Sequence, residues 1–400
     1  MCKTRLSVNV NKYKMNINIL KCRNPILLSI LFICFTGCNT GTRTGIVVKT
    51  PGNTINPDWV YYIEKNKSYE KKNLILQDVA TVDYIKLETT PDGLLDGAVN
   101  CKHIELTDNY IFIVINNIIS RFDRNGKFLN KIDRIGQGPG EYINIRSITV
   151  DYIREEILIY DGPTRRLLKY SYEGKFINSV DINGVVQIGF LGGDTLAYYS
   201  SNRKTEPIYS LRSSIDGRIL KSFSDINQKV SGMSHYAVKD IENLKKNGGE
   251  FFFNTLYSDT IFSVNKDRRV PRYILLPPNN PEKHHEEGNT ATPHLICETY
   301  SFAALAVLKN NSFTYGNGPI YYVVDKNQNI VYEGSIINSD TDTSFRPFNS
   351  ISEDNQFVAL FEIASLKNYN SKENLGGRLK ELYDLSDEND NPILMIATAK

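Results

Sequence analysis

Residues 109–132 read Asn109-Tyr-Ile-Phe-Ile-Val-Ile115, then Ile118-Ile-Ser-Arg-Phe122, the reversal Asp123-Arg-Asn-Gly126, and Lys127-Phe-Leu-Asn-Lys-Ile132. Short runs rich in Ile, Val, Phe and Tyr, separated by Asn, Asp and Gly, are strand signals. A reversal ending in Gly lets its last residue take a positive φ without a Cβ clash. The same design follows as Glu156-Ile-Leu-Ile-Tyr-Asp161, Arg166-Leu-Leu-Lys-Tyr170, Ser171-Tyr-Glu-Gly174 and Lys175-Phe-Ile-Asn-Ser-Val180. A third copy has Asp194-Thr-Leu-Ala-Tyr-Tyr199, Ile208-Tyr-Ser-Leu-Arg212, Ile215-Asp-Gly217 and Arg218-Ile-Leu-Lys-Ser-Phe223. The turn glycines at 126, 174 and 217 are 48 and 43 residues apart. Strands and a Gly turn repeating at this period are the mark of propeller blades.

Weaker copies occupy 251–264, 319–333 and 356–363, and helical patterning is confined to 235–246 and 375–385, read as excursions between blades. A propeller closes its ring by placing strands from both chain ends in one blade. Val79-Ala-Thr-Val-Asp-Tyr-Ile-Lys-Leu87 and Pro392-Ile-Leu-Met-Ile-Ala397 are the candidates. The expectation for residues 58–400 is therefore an all-β, six-bladed propeller with short helical insertions and N/C-terminal strand closure.

The first 37 residues carry six basic and no acidic residues, then an apolar run over 26–35 ending at Phe35-Thr-Gly-Cys38. A basic start, an apolar run of about ten residues and small residues before the cut form a secretory leader. The run is shorter than the roughly 20 residues that span a bilayer. Translation from Met15 would give a more ordinary leader. Residues 38–57, rich in Gly, Thr and Asn, read as a flexible tether. Of the chain's 47 basic and 45 acidic residues, the part beyond the leader keeps 41 and 45, so no electrostatic case for nucleic acid exists. Cys101 and Cys297 remain, and are read as buried free thiols; an oxidising compartment would also permit their pairing.

Phe122-Asp-Arg-Asn-Gly-Lys-Phe128 followed by Gly136-Gln-Gly-Pro-Gly-Glu-Tyr142 resembles the six-bladed propeller lipoproteins of gut-dwelling Gram-negative bacteria, with NHL-like blades. Tyr84-Ile-Lys-Leu-Glu-Thr-Thr90, Ser258-Asp-Thr-Ile-Phe262 and Glu388-Asn-Asp-Asn-Pro-Ile-Leu394 add to the resemblance, which spans the whole folded body. Thr36-Gly37-Cys38 resembles a lipobox, with Phe35 where Leu is usual. The resemblance implies the fold and a lipid on Cys38 and supplies no activity, since most members are functionally undefined. It also implies an outer-membrane lipoprotein. The missing acidic residues after Cys38 favour a periplasm-facing anchor.

Gly136-Gln-Gly-Pro-Gly140 is not a phosphate loop: Pro139 removes an amide, no Lys-Ser/Thr follows, and the next segment reads as strand. It reads as an inter-blade connection, with Gln137, Glu141, Tyr142 and Arg146 as candidate ligand contacts. Asp161, Arg165 and Arg166 form a charge-dense turn and are a second candidate set. His284-His-Glu-Glu287 cannot wrap one tetrahedral metal and reads as an exposed loop. His103, His235 and His294 are isolated. No Gly-x-Ser-x-Gly elbow is present, the two cysteines show no His partner, and the carboxylates show no paired spacing. No cofactor or metal is expected. The expected function is a membrane-tethered recognition propeller for a carbohydrate, peptide or envelope protein, its tyrosine-rich loops suited to stacking. The alternatives are a metal-dependent hydrolase, lactonase or polysaccharide lyase with a central-channel site, and a structural subunit of an envelope complex.

Overall fold

The computed structural model describes residues 5–10, 13–18, 59–64, 67–97, 101–182, 184–200, 209–223, 244–247, 249–254, 258–276, 292–308, 319–344, 350–351, 355–368 and 375–400. Cys38, the tether, His235 and the His284–Glu287 motif lie outside them. The chain forms two units, 1–42 and 43–400. In the first, Arg5–Val10 and Tyr13–Asn18 pair as an antiparallel hairpin. The second is a ring of six blades.

Blade 1 is Cys101–Leu106, Tyr110–Ile115, Ile118–Asp123 and Phe128–Ile132, hydrogen-bonded in that order from inside to outside. Blade 2 runs Ile145–Asp151, Glu156–Asp161, Arg166–Ser171 and Phe176–Asp181. Blade 3 runs Val185–Gly192, Thr195–Ser200, Tyr209–Ser213 and Ile219–Ser222. Blade 4 runs Leu244–Asn247, Glu250–Asn254, Thr260–Val264 and Arg269–Leu276. Blade 5 runs Thr292–Glu298, Phe302–Leu308, Ile320–Asp325 and Ile330–Glu333. Blade 6 closes the ring: Gln356–Phe361 pairs with Ile393–Ala399, which pairs antiparallel with Ala80–Lys86 from the other end of the chain.

Both faces of each blade are covered by neighbours, which is why the strands read as unbroken apolar runs. Ile111, Ile113 and Ile115 point into a core shared with Leu394 and Ile396 of blade 6. The alternating Phe112 and Val114 point into the core shared with Ile148 and Ile157 of blade 2. Each of the six interfaces between neighbouring blades holds one such apolar cluster. Inner strands add polar staples. Glu105 accepts from Val150 N (3.0 Å) and Thr149 Oγ1 (3.1 Å) of blade 2. Ser147 and Thr149 in turn accept from Ile188 N (3.1 Å) and Phe190 N (3.0 Å) of blade 3. These bonds satisfy edge amides that burial would otherwise leave unpaired.

The segment before the closing strand is a strap along the outer edges of blades 4 and 5. Tyr61–Glu64 adds in parallel to Arg269–Leu276. Lys71 bridges Glu333, and Leu74–Ile75 pairs with Ile336–Asn338. Trp59 pins its start: the Arg272 guanidinium and Lys326 ammonium lie 4.5 and 4.6 Å from the ring centroid, and Tyr61 stacks on Tyr273.

Two helical expectations change. Leu244–Asn247 is the inner strand of blade 4, because its backbone pairs with Glu250–Asn254 and that pairing overrides the helical pattern of 244–246. Gly377–Asp384 is helical, but with Ile363–Asn368 it lies inside blade 6, between Gln356–Phe361 and Ile393–Ala399, where Leu379 and Leu382 pack on the blade 5–blade 6 core.

The repeat glycines sit where the outer turn of one blade tucks against the outer strand of the preceding one. Gly126 has φ 88° and its Cβ would lie 2.3 Å from Lys86 O. Gly217 (φ 74°) abuts Ile182, and Gly174 (φ 82°) faces Ile132. Gly126→Ala should therefore cost about 2–4 kcal/mol, left-handed strain plus overpacking. Gly249→Ala, with φ 69° and open space around its Cβ, should cost only about 1 kcal/mol. Urea denaturation of both variants measures the contrast, and equal costs would refute the joint.

Candidate functional site

The ring has two unlike faces. One, called the upper face here, carries the connections between blades and the turns between second and third strands. The other carries the remaining turns. Both sets of sequence candidates fall on the upper face, around blades 1 and 2.

The Gly136–Gly140 loop is a rigid connection. Gly136 N donates to Tyr142 O (2.9 Å), Tyr142 N to Arg134 O (3.0 Å), and the Tyr142 hydroxyl to Ile132 O (3.0 Å). Tyr142 is fully buried, and burial raises its phenol well above the ordinary range. The Glu141 carboxylate folds back to accept from Gly138 N (2.8 Å), and a Cβ on Gly136 would lie 2.1 Å from it. The Tyr170 hydroxyl donates to Gly140 O. Tyr142 and Glu141 thus build the loop instead of being offered on it.

Asp161 is likewise interior, at 0 % exposure. It accepts from Ile143 N (3.1 Å), Asn144 N (3.0 Å) and Thr164 Oγ1 (2.6 Å), tying the inter-blade connection to the turn at 162–165. Arg166 is half-buried and donates to Glu141 O at 3.2 Å. Gln137, Arg146 and Arg165 are exposed. The structure therefore splits the candidates: Glu141, Tyr142, Asp161 and Arg166 hold the platform, while Gln137, Arg146 and Arg165 stand on it. Among the described residues, many tyrosines are core residues (Tyr142, Tyr160, Tyr170, Tyr198, Tyr209 and Tyr273 are fully buried), so these support the blades and are not offered for stacking.

Sequence reasoning missed Lys102, Asn117 and Asn144. Lys102 Nζ donates to Asn117 Oδ1 (3.0 Å) and Asn144 Oδ1 (3.4 Å). Burial, and secondarily the Arg146 guanidinium, hold its ammonium below the ordinary lysine range. The Asn116-Asn117 pair, with φ 51° and 64°, was the available signal, since two Asn between apolar runs mark a tight hairpin.

On the other face, Glu298 is buried against Lys326 and the Tyr273 hydroxyl, and Arg272 reaches Glu250 at 2.8 Å. Burial raises the Glu298 carboxyl and lowers the Lys326 ammonium, each opposed by attraction to the other. Cys297 is free and buried, its thiol pushed up to about 12 by burial, and Cys101 is half-buried. Among the described residues, no three His, Cys, Asp or Glu side chains are grouped to hold a metal ion. No described helix is long and apolar enough to cross a membrane.

His294, on the inner strand of blade 5, is 8 % exposed, with no hydrogen-bond partner for either ring nitrogen among the described residues. Burial lowers it to about 4 from the ordinary 6.5. The folded state holds it neutral, so its contribution is complete above pH 6.5 and is lost as pH falls toward 4, at up to about 1.4 kcal/mol per pH unit. His294→Leu should flatten the fall in stability over that window, measured by denaturation at stepped pH; an unchanged slope would refute it.

A protein-family model described as a domain of unknown function, DUF4934, matches residues 60–398. Among solved structures, a Bacteroides fragilis NCTC 9343 protein described as exported is similar at 20% identity and a TM-score of 0.64, over 85% of this chain and 99% of that one. A member of the duf4221 family from Bacteroides vulgatus aligns over 81% of this chain and 99% of its own, at 10% identity and a TM-score of 0.47. No curated protein matches.

Proposed function

The chain belongs to the DUF4934 family, and from that premise we propose that it is an exported binding propeller, held to the envelope by lipid on Cys38 and recognising its partner through the upper face of blades 1 and 2. The basic leader and the Phe35-Thr-Gly-Cys38 sequence support export and lipidation. The recognition surface rests on one observation. The loops bearing Gln137 and Arg165, and the start of the inner strand bearing Arg146, are fixed from within by Tyr142, Glu141 and Asp161, so exposed polar side chains stand on a preorganised backbone. A surface ordered before binding loses little entropy when a partner arrives, and more of the contact energy remains as affinity. A side chain spent on decorating a mobile loop would have no such buried support.

Binding to the folded state raises the melting temperature by mass action. A thermal-shift screen of the purified chain against neutral glycans, acidic glycans and peptides should find a class that stabilises it. The shift should shrink in the Gln137→Ala/Arg165→Ala variant and persist in Tyr152→Ala, a variant at the opposite face. A ligand whose shift depends on Tyr152 and not on Gln137 or Arg165 would overturn the assignment.

A further inference from the structure

The inner strands of blades 1 and 2 each carry a β-bulge at their second residue. In blade 1, Cys101 pairs with Ile115 and His103 with Val114, leaving Lys102 out of register. In blade 2, Ile145 pairs with Asp161 and Ser147 with Tyr160, leaving Arg146 out. Blade 3 repeats the irregularity, with Val185 opposite Ser200 and Gln187 opposite Tyr199, so three successive blades share it and Val186 holds the same place. The inner strands of blades 4 and 6 pair without a shift, and that of blade 5 shifts later, between Leu295 and Cys297. A bulge leaves one residue unpaired and re-aims its side chain. Here the two re-aimed residues are cations, both are exposed, and they sit on the same face of adjacent blades.

Among the described residues, no carboxylate pairs with either cation. Lys102 is held by two neutral carboxamides, Asn117 and Asn144. Asp161, the carboxylate of the adjoining turn, is fully buried, with both oxygens occupied by Ile143 N, Asn144 N and Thr164 Oγ1. Neither Lys102 nor Arg146 has an ion-pair partner among the described residues, and the Lys102 ammonium is held down chiefly by burial and secondarily by the positive charge of Arg146. Arg165 adds a third exposed positive charge on the neighbouring turn, at φ 57°. Like charges brought together without an acid are unfavourable in the free protein and become favourable when an anion sits between them.

We propose that Lys102 and Arg146 form an oxyanion site that takes a carboxylate, sulfate or phosphate group of the ligand bound at the upper face. The proposal rests on the reading of that face as the recognition surface and gives it a chemistry. Lys102 supplies a point charge already oriented by Asn117 and Asn144, and Arg146 supplies a planar donor fork suited to two oxygens of one anion.

Isothermal titration of the full chain with inorganic sulfate, inorganic phosphate and a galacturonate oligomer tests this and separates the sources of the anion. At least one probe should bind, more weakly as salt rises. Lys102→Met and Arg146→Gln should each weaken that binding about tenfold or more, and Arg146→Lys should fall between. Without ligand, Arg146→Gln should melt no lower than the parent, and the Lys102 ammonium should titrate closer to its ordinary value, since a repulsion has been removed. Equal binding by parent and double variant, or no binding by any of the three probes, overturns the oxyanion site. If neutral ligands then still depend on Gln137 and Arg165, the recognition surface stands without this chemistry. If no ligand depends on them, that reading fails as well.

Discussion

The structure depends on the joint at which the outer turn of one blade tucks against the outer strand of the blade before it. A Cβ at Gly126 would collide with Lys86 O, and one at Gly217 with Ile182. At both positions the backbone also takes a positive φ, so glycine serves conformation and clearance together. The Gly126 joint spans the seam of the ring, because Lys86 belongs to the strand that closes blade 6 from the N-terminal side. Closure there is three-fold: the Ala80–Lys86 ladder, the shared core of Ile113, Leu394 and Ile396, and Glu88, which accepts from Phe128 N at 2.8 Å. Ring closure buries the last edges that an open sheet would expose.

With the ring closed, the inner strands are held at fixed spacing by side chains that reach the backbone of the next blade, Glu105 to Val150 and Thr149 to Phe190. That spacing makes the upper face of blades 1 and 2 a defined object. The bulges at Lys102 and Arg146 hold the same place in successive blades, as the one in blade 3 does, so the repeat sets both cations on one face. Interior groups then fix the loops around them. The division of labour among Glu141, Tyr142 and Asp161 on one side, and Gln137, Arg146 and Arg165 on the other, follows from burial alone.

Much of the fold was legible because its periodic elements are local. Glycines 126, 174 and 217 marked the blades through turn chemistry, and the 79–87 and 392–397 segments marked the closure. Blade 5 was half hidden: Phe302–Leu308 contains Ala303, Ala304 and Ala306, which lack the branched or aromatic character that identifies strands. The strap at 59–75 was invisible for another reason. Its paired stretches, Tyr61–Glu64 and Leu74–Ile75, are short and separated by the polar run 64–73, so no blade-like repeat marks them. For the candidate site, the charged turns were found, but roles were not, since a sequence does not show that Asp161 and Tyr142 point inward. Lys102 carried no local signal at all. Its significance comes from a bulge and from a partner 44 residues away, one blade later.

The central claim is that two equivalent bulges place paired cations on a rigid recognition face. Anomalous diffraction from crystals of the chain soaked in selenate, a sulfate mimic, tests it most directly. The account predicts a selenium peak between the Lys102 ammonium and the Arg146 guanidinium, absent in Arg146→Gln crystals. Selenate found only elsewhere, or a peak that survives the substitution, would contradict it.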